Sequence, residues 1–401
     1  MKTRSVGLSL SVAVIATMLA AACSAPGASK VASAPSSAPK LPTKPITLHI
    51  LDVSGDLTTS KPLIVNYVKA HPKLISKVEY ESGSATDVAG KLQAQEKAGR
   101  VDIDLVLTGT GALSQMSSQK ELIKLLPAYA SALPDLKTVL TPGGTKLQNT
   151  SGGYGVIDEG GGGGGPILEY STKRVTSVPT TPAALLAWAK AHPGRFNYAS
   201  PTAGSGPANA LIAALPYQLG DKNPTDPVNG WAKTWTWLEQ MNKYITKYPI
   251  KTTDSFQGLA DGTYDITAAQ PGWDVIEHSP GGPLNSSFAV STFSHPILIT
   301  DGHFGAIPKG VSADHVAVDL DLLKWLLRPA QQALTYPTFS SFPVKGVELS
   351  MATPAAQAAF KKYGRPSFVT QLAKAPVKLP LSDAGVQAMY DKWNKLIGAK
   401  K

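Results

Sequence analysis

Directly behind two acids, Asp158 and Glu159, six glycines stand in a row, Gly160 to Gly165. A carboxylate pair can serve acid–base work, but adjacency in sequence does not make two carboxylates face one substrate. Bare backbone can cradle a phosphate, yet a phosphate loop runs into Lys-Ser/Thr and a helix. This run is followed by Pro166 and a strand-like segment. The 7 histidines stand apart, with no HExxH pair and no second cysteine near them, so neither a zinc site nor a cofactor is expected. Gly204-Ser205-Gly206 is too short for a nucleophile elbow. DKNPTDPVNG at Asp221 begins like a calcium loop, lacks the closing glutamate and reads as a turn. With no catalytic constellation, binding is favoured over chemistry and no enzyme is expected.

The elements that would position such groups alternate. ITLHILDV (Ile46 to Val53) is β-rich and ends in a Ser-Gly-Asp turn; a helix runs from Lys61 to Ala70; KVEYES is a second strand. A helix follows from Thr86 as N-cap to Gly99 as terminator. Val101 to Thr110 is a buried strand closed by a Thr-Gly-Thr turn. This βαβαβ order predicts an open α/β sheet, whose ligands bind beyond the carboxyl ends of strands. Asp52 to Gly55 and Thr108 to Thr110 therefore become candidates, against the alternative of ordinary polar turns.

Beyond the glycines, PILEYS is strand-like and Thr181-Pro182 starts a helix that Gly194 stops. Arg195 to Leu215 reads as a short strand, a small-residue loop and a helix. Trp231, Trp235, Leu238, Met241 and Ile245 share one helical face, as do Val386, Met389, Trp393 and Ile397 at the end of the chain; both stripes suit a core. DGTYDITAAQPGWDVIEH reads as a strand and a loop carrying Trp273. HPILITDGHFGAIPKG reads as two short strands around a glycine-rich bend, and Asp314 caps the next helix. The chain shows no internal repeat.

At 401 residues, two lobes are the default. Hydrophobic residues make up 43% and charged residues 16%, within the range of a globular protein. The net charge of +10 is scattered rather than clustered, so no nucleic acid partner is expected. MKTRSVGLSLSVAVIATMLAAAC has the basic start, apolar stretch and small residues of a secretory signal. It resembles a bacterial lipoprotein signal over residues 1–22, with Cys23 as the lipidated first residue of the mature chain. Ala20 stands where the resemblance leads one to expect leucine. Cys23 is the 1 cysteine of the chain, so an internal disulfide is ruled out. Residues 23–45, rich in Ser, Ala and Pro, form a flexible tether. The expected place is the outer side of the bacterial cytoplasmic membrane, held by a lipid.

GPILEYSTKRVTSVPTTPAALLAWAKAHPGRFNYASP resembles the middle of extracellular solute-binding proteins of ABC importers. GAIPKGVSADHVAVDLDLLKWLLRPAQQAL is similar to their return into the first lobe. MYDKWNKLIG is similar to the C-terminal helix of the subgroup near spermidine/putrescine-, thiamine- and iron-type binding proteins. The resemblance implies a two-lobe, type II periplasmic-binding-protein-like α/β fold with a hinge and an interlobe cleft. Lobe I would comprise 46–160 and 302–401, lobe II 161–301. It also implies a monomer that captures a small solute and delivers it to a membrane permease. The glycine run departs from the group's pattern and falls at the first crossing, as bare backbone at the cleft edge or as a tolerated expansion in a mobile loop.

A cleft site should draw on both lobes. The first offers Ser54, Thr108, Gly109 and Thr110; the crossing offers Tyr154, Asp158 and Glu159, unless these acids are simply solvated. The second offers Thr202, Ser205 and Gly206, where a helix start presents free N–H groups. Gln270 and Trp273 follow a buried strand, and Trp273 suits a core position as well as a ligand platform. Phe339 and Ser340 lie on a late loop. Carboxylates and aromatics suit a polyamine, tryptophan and small hydroxyls a carbohydrate, the helix start an anion; no multi-tyrosine iron site is evident. Two other readings stand beside solute capture: a secreted hydrolase-like lipoprotein, and a surface or scaffold lipoprotein without ligand.

Overall fold

Leu48, Ile50 and Leu51 leave almost no surface exposed, because the strand that carries them is covered on both faces. In the computed structural model, which describes residues 33–53, 56–83, 87–203, 205–336, 342–365, 371–372 and 374–401, this strand is the first of ten. They are β1 (Ile46–Asp52), β2 (Ile75–Ser82), β3 (Leu105–Gly109), β4 (Gly155–Gly163), β5 (Ile167–Ser171), β6 (Phe196–Asn197), β7 (Ile266–Ala269), β8 (Phe288–Ser291), β9 (Leu298–Ala306) and β10 (Val377–Lys378). The first sheet has the order β2–β1–β3–β9, parallel except for β9, which pairs antiparallel with both β3 and β4; β10 adds to the start of β9. The second sheet has the order β6–β7–β5–β8.

Each sheet has its own core. Leu48, Ile50, Tyr67, Leu107, Val156, Phe304 and Leu323 belong to the first. Leu168, Tyr198, Leu211 and the stripe Trp231, Trp235, Leu238, Met241, Ile245 belong to the second. A smaller cluster, with Ile167, Phe256 and Leu298, lies where the crossing strands enter the second sheet. The C-terminal stripe of Met389, Trp393 and Ile397 also packs into the second core, with Val386 against it, although this segment was expected in the first lobe. The apolar face of the stripe is buried there, and Trp393 Nε1 donates to the Tyr198 hydroxyl at 3.2 Å inside that core.

The glycine run is neither a phosphate loop nor a mobile expansion. Four of its residues finish β4: Gly160 pairs with Gly302, Gly162 with Asp301 and Gly163 with Thr300. The Gly164 N–H donates to the Ile299 carbonyl, and the Ile299 N–H to the Gly165 carbonyl, each at 2.7 Å. Gly160 and Gly165 adopt φ of +80° and +117°, a region that excludes most side chains. A Cβ at Gly165 would also stand 3.0 Å from Gln270 Cγ. β4 and β9 thus cross between the sheets as an antiparallel pair.

Four local expectations are corrected. The segment around Gly302 is one nine-residue strand, not two around a bend, because β3 and β4 supply ladder partners on both sides of His303 to Ala306. Thr110 opens the helix Thr110–Ser118 instead of closing a turn. Trp273 opens the helix Trp273–His278 instead of lying in a loop. Ser312, not Asp314, caps the helix Ala313–Leu326, its hydroxyl accepting the His315 N–H at 3.5 Å. Thr181 does cap, accepting the Ala184 N–H at 3.0 Å. Thr86 lies outside the described residues.

Asp221 shows what the calcium-like segment does. Its buried carboxylate accepts the N–H groups of Lys233 at 2.8 Å and Thr234 at 3.0 Å, and the Thr234 hydroxyl at 2.6 Å. It therefore caps the tryptophan-rich helix Ala232–Asn242 from twelve residues upstream. Asp221→Ala should lower stability by about 1–2 kcal/mol through loss of this cap. A reduced urea midpoint with unaltered solute binding is the expected result, and an unchanged midpoint would contradict the capping role.

Candidate functional site

The site grows from the carboxyl end of β1. Asp52 closes that strand, and its carboxylate accepts the N–H groups of Asp56 at 3.0 Å and Leu57 at 3.2 Å. It thereby caps the helix Leu57–Ala70 from outside and fixes Asp56 at its first turn. The Asp56 carbonyl accepts the Ser60 hydroxyl in turn at 2.9 Å. The Asp56 side chain is left to point at β9.

There, His303 stands between Gly109 of β3 and Glu159 of β4. Its Nδ1 lies 2.5 Å from Asp56 Oδ1 and 2.7 Å from Glu159 Oε1. Thr59 Oγ1 donates to the other Glu159 oxygen in a short contact. One ring nitrogen carries at most one proton, so it cannot satisfy both carboxylates. Asp158 is the extra residue of a β-bulge between Ile157 and Glu159. Its carbonyl accepts Gln332 Nε2, while both of its carboxylate oxygens are buried without a hydrogen-bond donor.

Asp56, Asp158 and Glu159 are 1%, 2% and 2% exposed. Burial pushes the Asp56 carboxyl up to about 7; Glu159 and Asp52 add to the rise and His303 opposes it. Burial, then the charges of Asp56 and Glu159, hold Asp158 well above the usual carboxylate range. Burial alone would lower His303, but Asp56 and Glu159 outweigh it and keep the imidazole protonated well above its ordinary range.

Several of the residues picked from sequence converge here. Asp158 and Glu159 are in the cluster rather than solvated. Thr108 is fully buried, its hydroxyl donating to the Gly109 carbonyl at 3.2 Å, and Gly109 is the β3 partner of His303, with Thr110 next to it. A second group gathers at the other end of the crossing. Gln270 packs against both Gly165 and Gly206, where a Cβ on Gly206 would meet its Oε1 at 2.6 Å. Ser205 caps the helix Gly206–Leu219 and shares a hydrogen bond of 2.9 Å with Thr252. Thr202 pairs with Ser200 at 3.0 Å. Trp273 is half-buried and stacks on Phe256 at 6.2 Å, so it serves the small third cluster.

Tyr154 does not join the acids. It precedes β4, roughly 16 Å along an extended strand from Glu159, packs on the first core and has Lys124 Nζ 5.7 Å from its ring centre. Ser54, Phe339, Ser340 and Cys23 lie outside the described residues. Asp56 and His303 were not picked out from the sequence. The Ser-Gly-Asp turn marked the neighbourhood of Asp56. His303, 144 residues from Glu159, has no local signal beyond being a histidine.

The comparisons with known proteins agree with this architecture. The family model described as bacterial extracellular solute-binding protein matches residues 63–362, well over half of the chain. No curated protein matches the sequence. Among solved structures, the apo ferric ion-binding protein A of Pasteurella haemolytica shares 13% identity over 87% of this chain and 97% of its own, with a TM-score of 0.62. The spermidine/putrescine ABC transporter substrate-binding protein of Streptococcus pneumoniae shares 13% over 88% and 99%, with 0.61. A periplasmic thiamin binding protein shares 14% over 89% and 99%, with 0.59. At such identities these structures establish the two-lobe fold. The family match goes further: the chain belongs to the bacterial extracellular solute-binding proteins.

Proposed function

We propose that this protein captures a cationic solute at the crossing strands and hands it to a membrane permease. One observation carries the reading: Asp56, Asp158 and Glu159 are buried around a single imidazole. Buried charge must be paired, and three carboxylates exceed one imidazolium. Among the described residues none of the three forms an ion pair with Lys or Arg. Some buried acids elsewhere are compensated by the protein itself, although Asp319, like Asp158, is buried with no hydrogen-bond donor on either oxygen. Asp265 is held by Arg174 and by Arg195, the latter at 2.6 Å, and Asp274 by Arg365 at 2.5 Å. At the crossing strands the missing positive charge is left for the solute to bring.

Three of the neighbours are named for cations, ferric ion, spermidine/putrescine and thiamin, which agrees with this reading, while another is named for the carbohydrate cyclic alpha-maltosyl-1,6-maltose. An anion fits less well, because Gln270 already covers the start of the helix Gly206–Leu219. The lobes we propose are 46–160 with most of 302–401, and 161–301 with the C-terminal helix riding on the second core. Export and a lipid on Cys23 would hold the body near its permease through the 23–45 tether. Among the described residues, no helix is long and apolar enough to cross a membrane.

Two results are expected. In a thermal-shift screen of the mature chain, spermidine, putrescine, thiamin or metal cations should raise the melting temperature saturably, while sugars and oxyanions should not. Glu159→Gln should weaken that binding at least tenfold, since losing one partner of a buried charged contact costs about 2 kcal/mol or more. A saturable response to a sugar or an oxyanion alone would overturn the proposal.

A third expectation concerns pH. Asp56 is raised from 3.8 to about 7, so the solute-free folded protein holds a proton there that the unfolded chain has lost. That contribution is complete below pH 3.8 and disappears as pH rises toward 7. A bound cation takes the proton's place, so its affinity should rise across the same interval. Asp56→Asn, which cannot titrate, should flatten the pH dependence of both melting temperature and affinity. Parallel pH profiles for wild type and variant would rule this out.

A further inference from the structure

Resting on the cationic reading of this site, we infer that Asp56, Glu159 and His303 form a coordination site for one divalent first-row transition-metal ion, such as Zn2+ or Mn2+. The three side chains offer Oδ1, Oε1 and Nδ1, and one donor atom from each lies within 4.8 Å of the others. Nδ1 stands 2.5 Å and 2.7 Å from the two oxygens, so the three atoms already face one point. Metal–ligand lengths of about 2.0–2.2 Å place neighbouring donors roughly 3.0–3.5 Å apart, so the three must open by about 0.3–1 Å around an ion. That shift exchanges a single shared proton for a charge that both carboxylates can bind.

A second observation is independent of the three donors. The Asp158 carboxylate is 2% exposed, has no hydrogen-bond donor on either oxygen, and its nearest charges are Asp56, Glu159 and His303. It is a buried carboxyl beside the site, with neither a hydrogen-bond donor nor a cation supplied by the described residues, and a 2+ ion answers it. The supporting shell is also of the kind that orients metal ligands. Thr59 occupies Glu159 Oε2 and so turns Oε1 toward His303, while Asp52 fixes the backbone of Asp56. The mixed donor set narrows the choice of ion: the imidazole suits Zn2+ or Fe2+ and the two carboxylates also admit Mn2+, whereas Mg2+ and Ca2+ prefer all-oxygen sets.

The test uses the mature chain stripped of metal with a chelator and titrated calorimetrically with Zn2+, Mn2+, Mg2+, Ca2+ and, separately, spermidine. The expected result is one Zn2+ or Mn2+ per chain, Zn2+ the tighter, with Mg2+ and Ca2+ at least tenfold weaker. His303→Ala and Glu159→Gln should each lower Zn2+ affinity by ten- to a hundredfold while circular dichroism shows them folded. Pulsed electron paramagnetic resonance of the wild-type Mn2+ complex should show one coupled imidazole nitrogen, a readout that needs no variant. No saturable Zn2+ or Mn2+ binding, no coupled nitrogen, or unchanged affinity in a folded His303→Ala protein would overturn the inference. Spermidine binding without metal binding would overturn it and leave the cationic reading intact; neither binding would sink both.

Discussion

The antiparallel pairing of β4 with β9 is the constraint on which the rest depends. It joins the two sheets, sets the register that puts His303 beside Glu159, and holds a glycine run that would otherwise have no reason to be ordered. A one-residue slip would turn His303 to the opposite face of the ladder. The bulge between Ile157 and Glu159 has the same kind of consequence: it breaks the alternation, so that the consecutive acids Asp158 and Glu159 are both buried by the same body instead of one facing each way.

Given that register, the electrostatics are forced. The carboxyl end of β1 delivers Asp52 and Asp56 to the same place, and only the first of them is spent on the helix N-terminus. The remaining acids are buried beyond what one imidazole neutralises. In solution the protein meets this by binding protons, which is why Asp56 and Asp158 are displaced upward and His303 is displaced with them. Burying acids beyond what the protein neutralises is costly for stability, and such cost is characteristic of functional sites.

The fold was largely legible because its signals are local. Alternation and β-branched content mark β1 and β3, Thr181-Pro182 marks a helix start, and the tryptophan stripe marks the second core. Part of the proposed cluster was reached as well, Thr108 and Gly109 through the expectation of ligands at strand ends and Asp158 and Glu159 through the expected crossing. What escaped was whatever pairing decides. The strand through Gly302 reads as a bend because glycine is a poor strand former, and only two ladder partners override it. The C-terminal stripe shows its period but not which core receives it. His303 is one of seven scattered histidines until β9 is laid between β3 and β4.

The location of the charge bears on how capture and closure are linked. Asp56 belongs to the first sheet's helix, Glu159 and His303 to the two crossing strands, and Gly165, Gly206 and Gln270 stand where those strands reach the second sheet. A cation bound by the acids therefore ties the first lobe to both strands of the hinge at once. A ligand shifts a conformational equilibrium only by its difference in affinity for the two states. Here that difference has a physical source, because the separation of the Asp56, Glu159 and His303 donor atoms is set by the β4–β9 ladder and by its position against the Leu57–Ala70 helix. On the proposed reading, any hinge movement that changes this position would change the coordination, so the same three side chains would both hold the charge and sense the arrangement of the lobes.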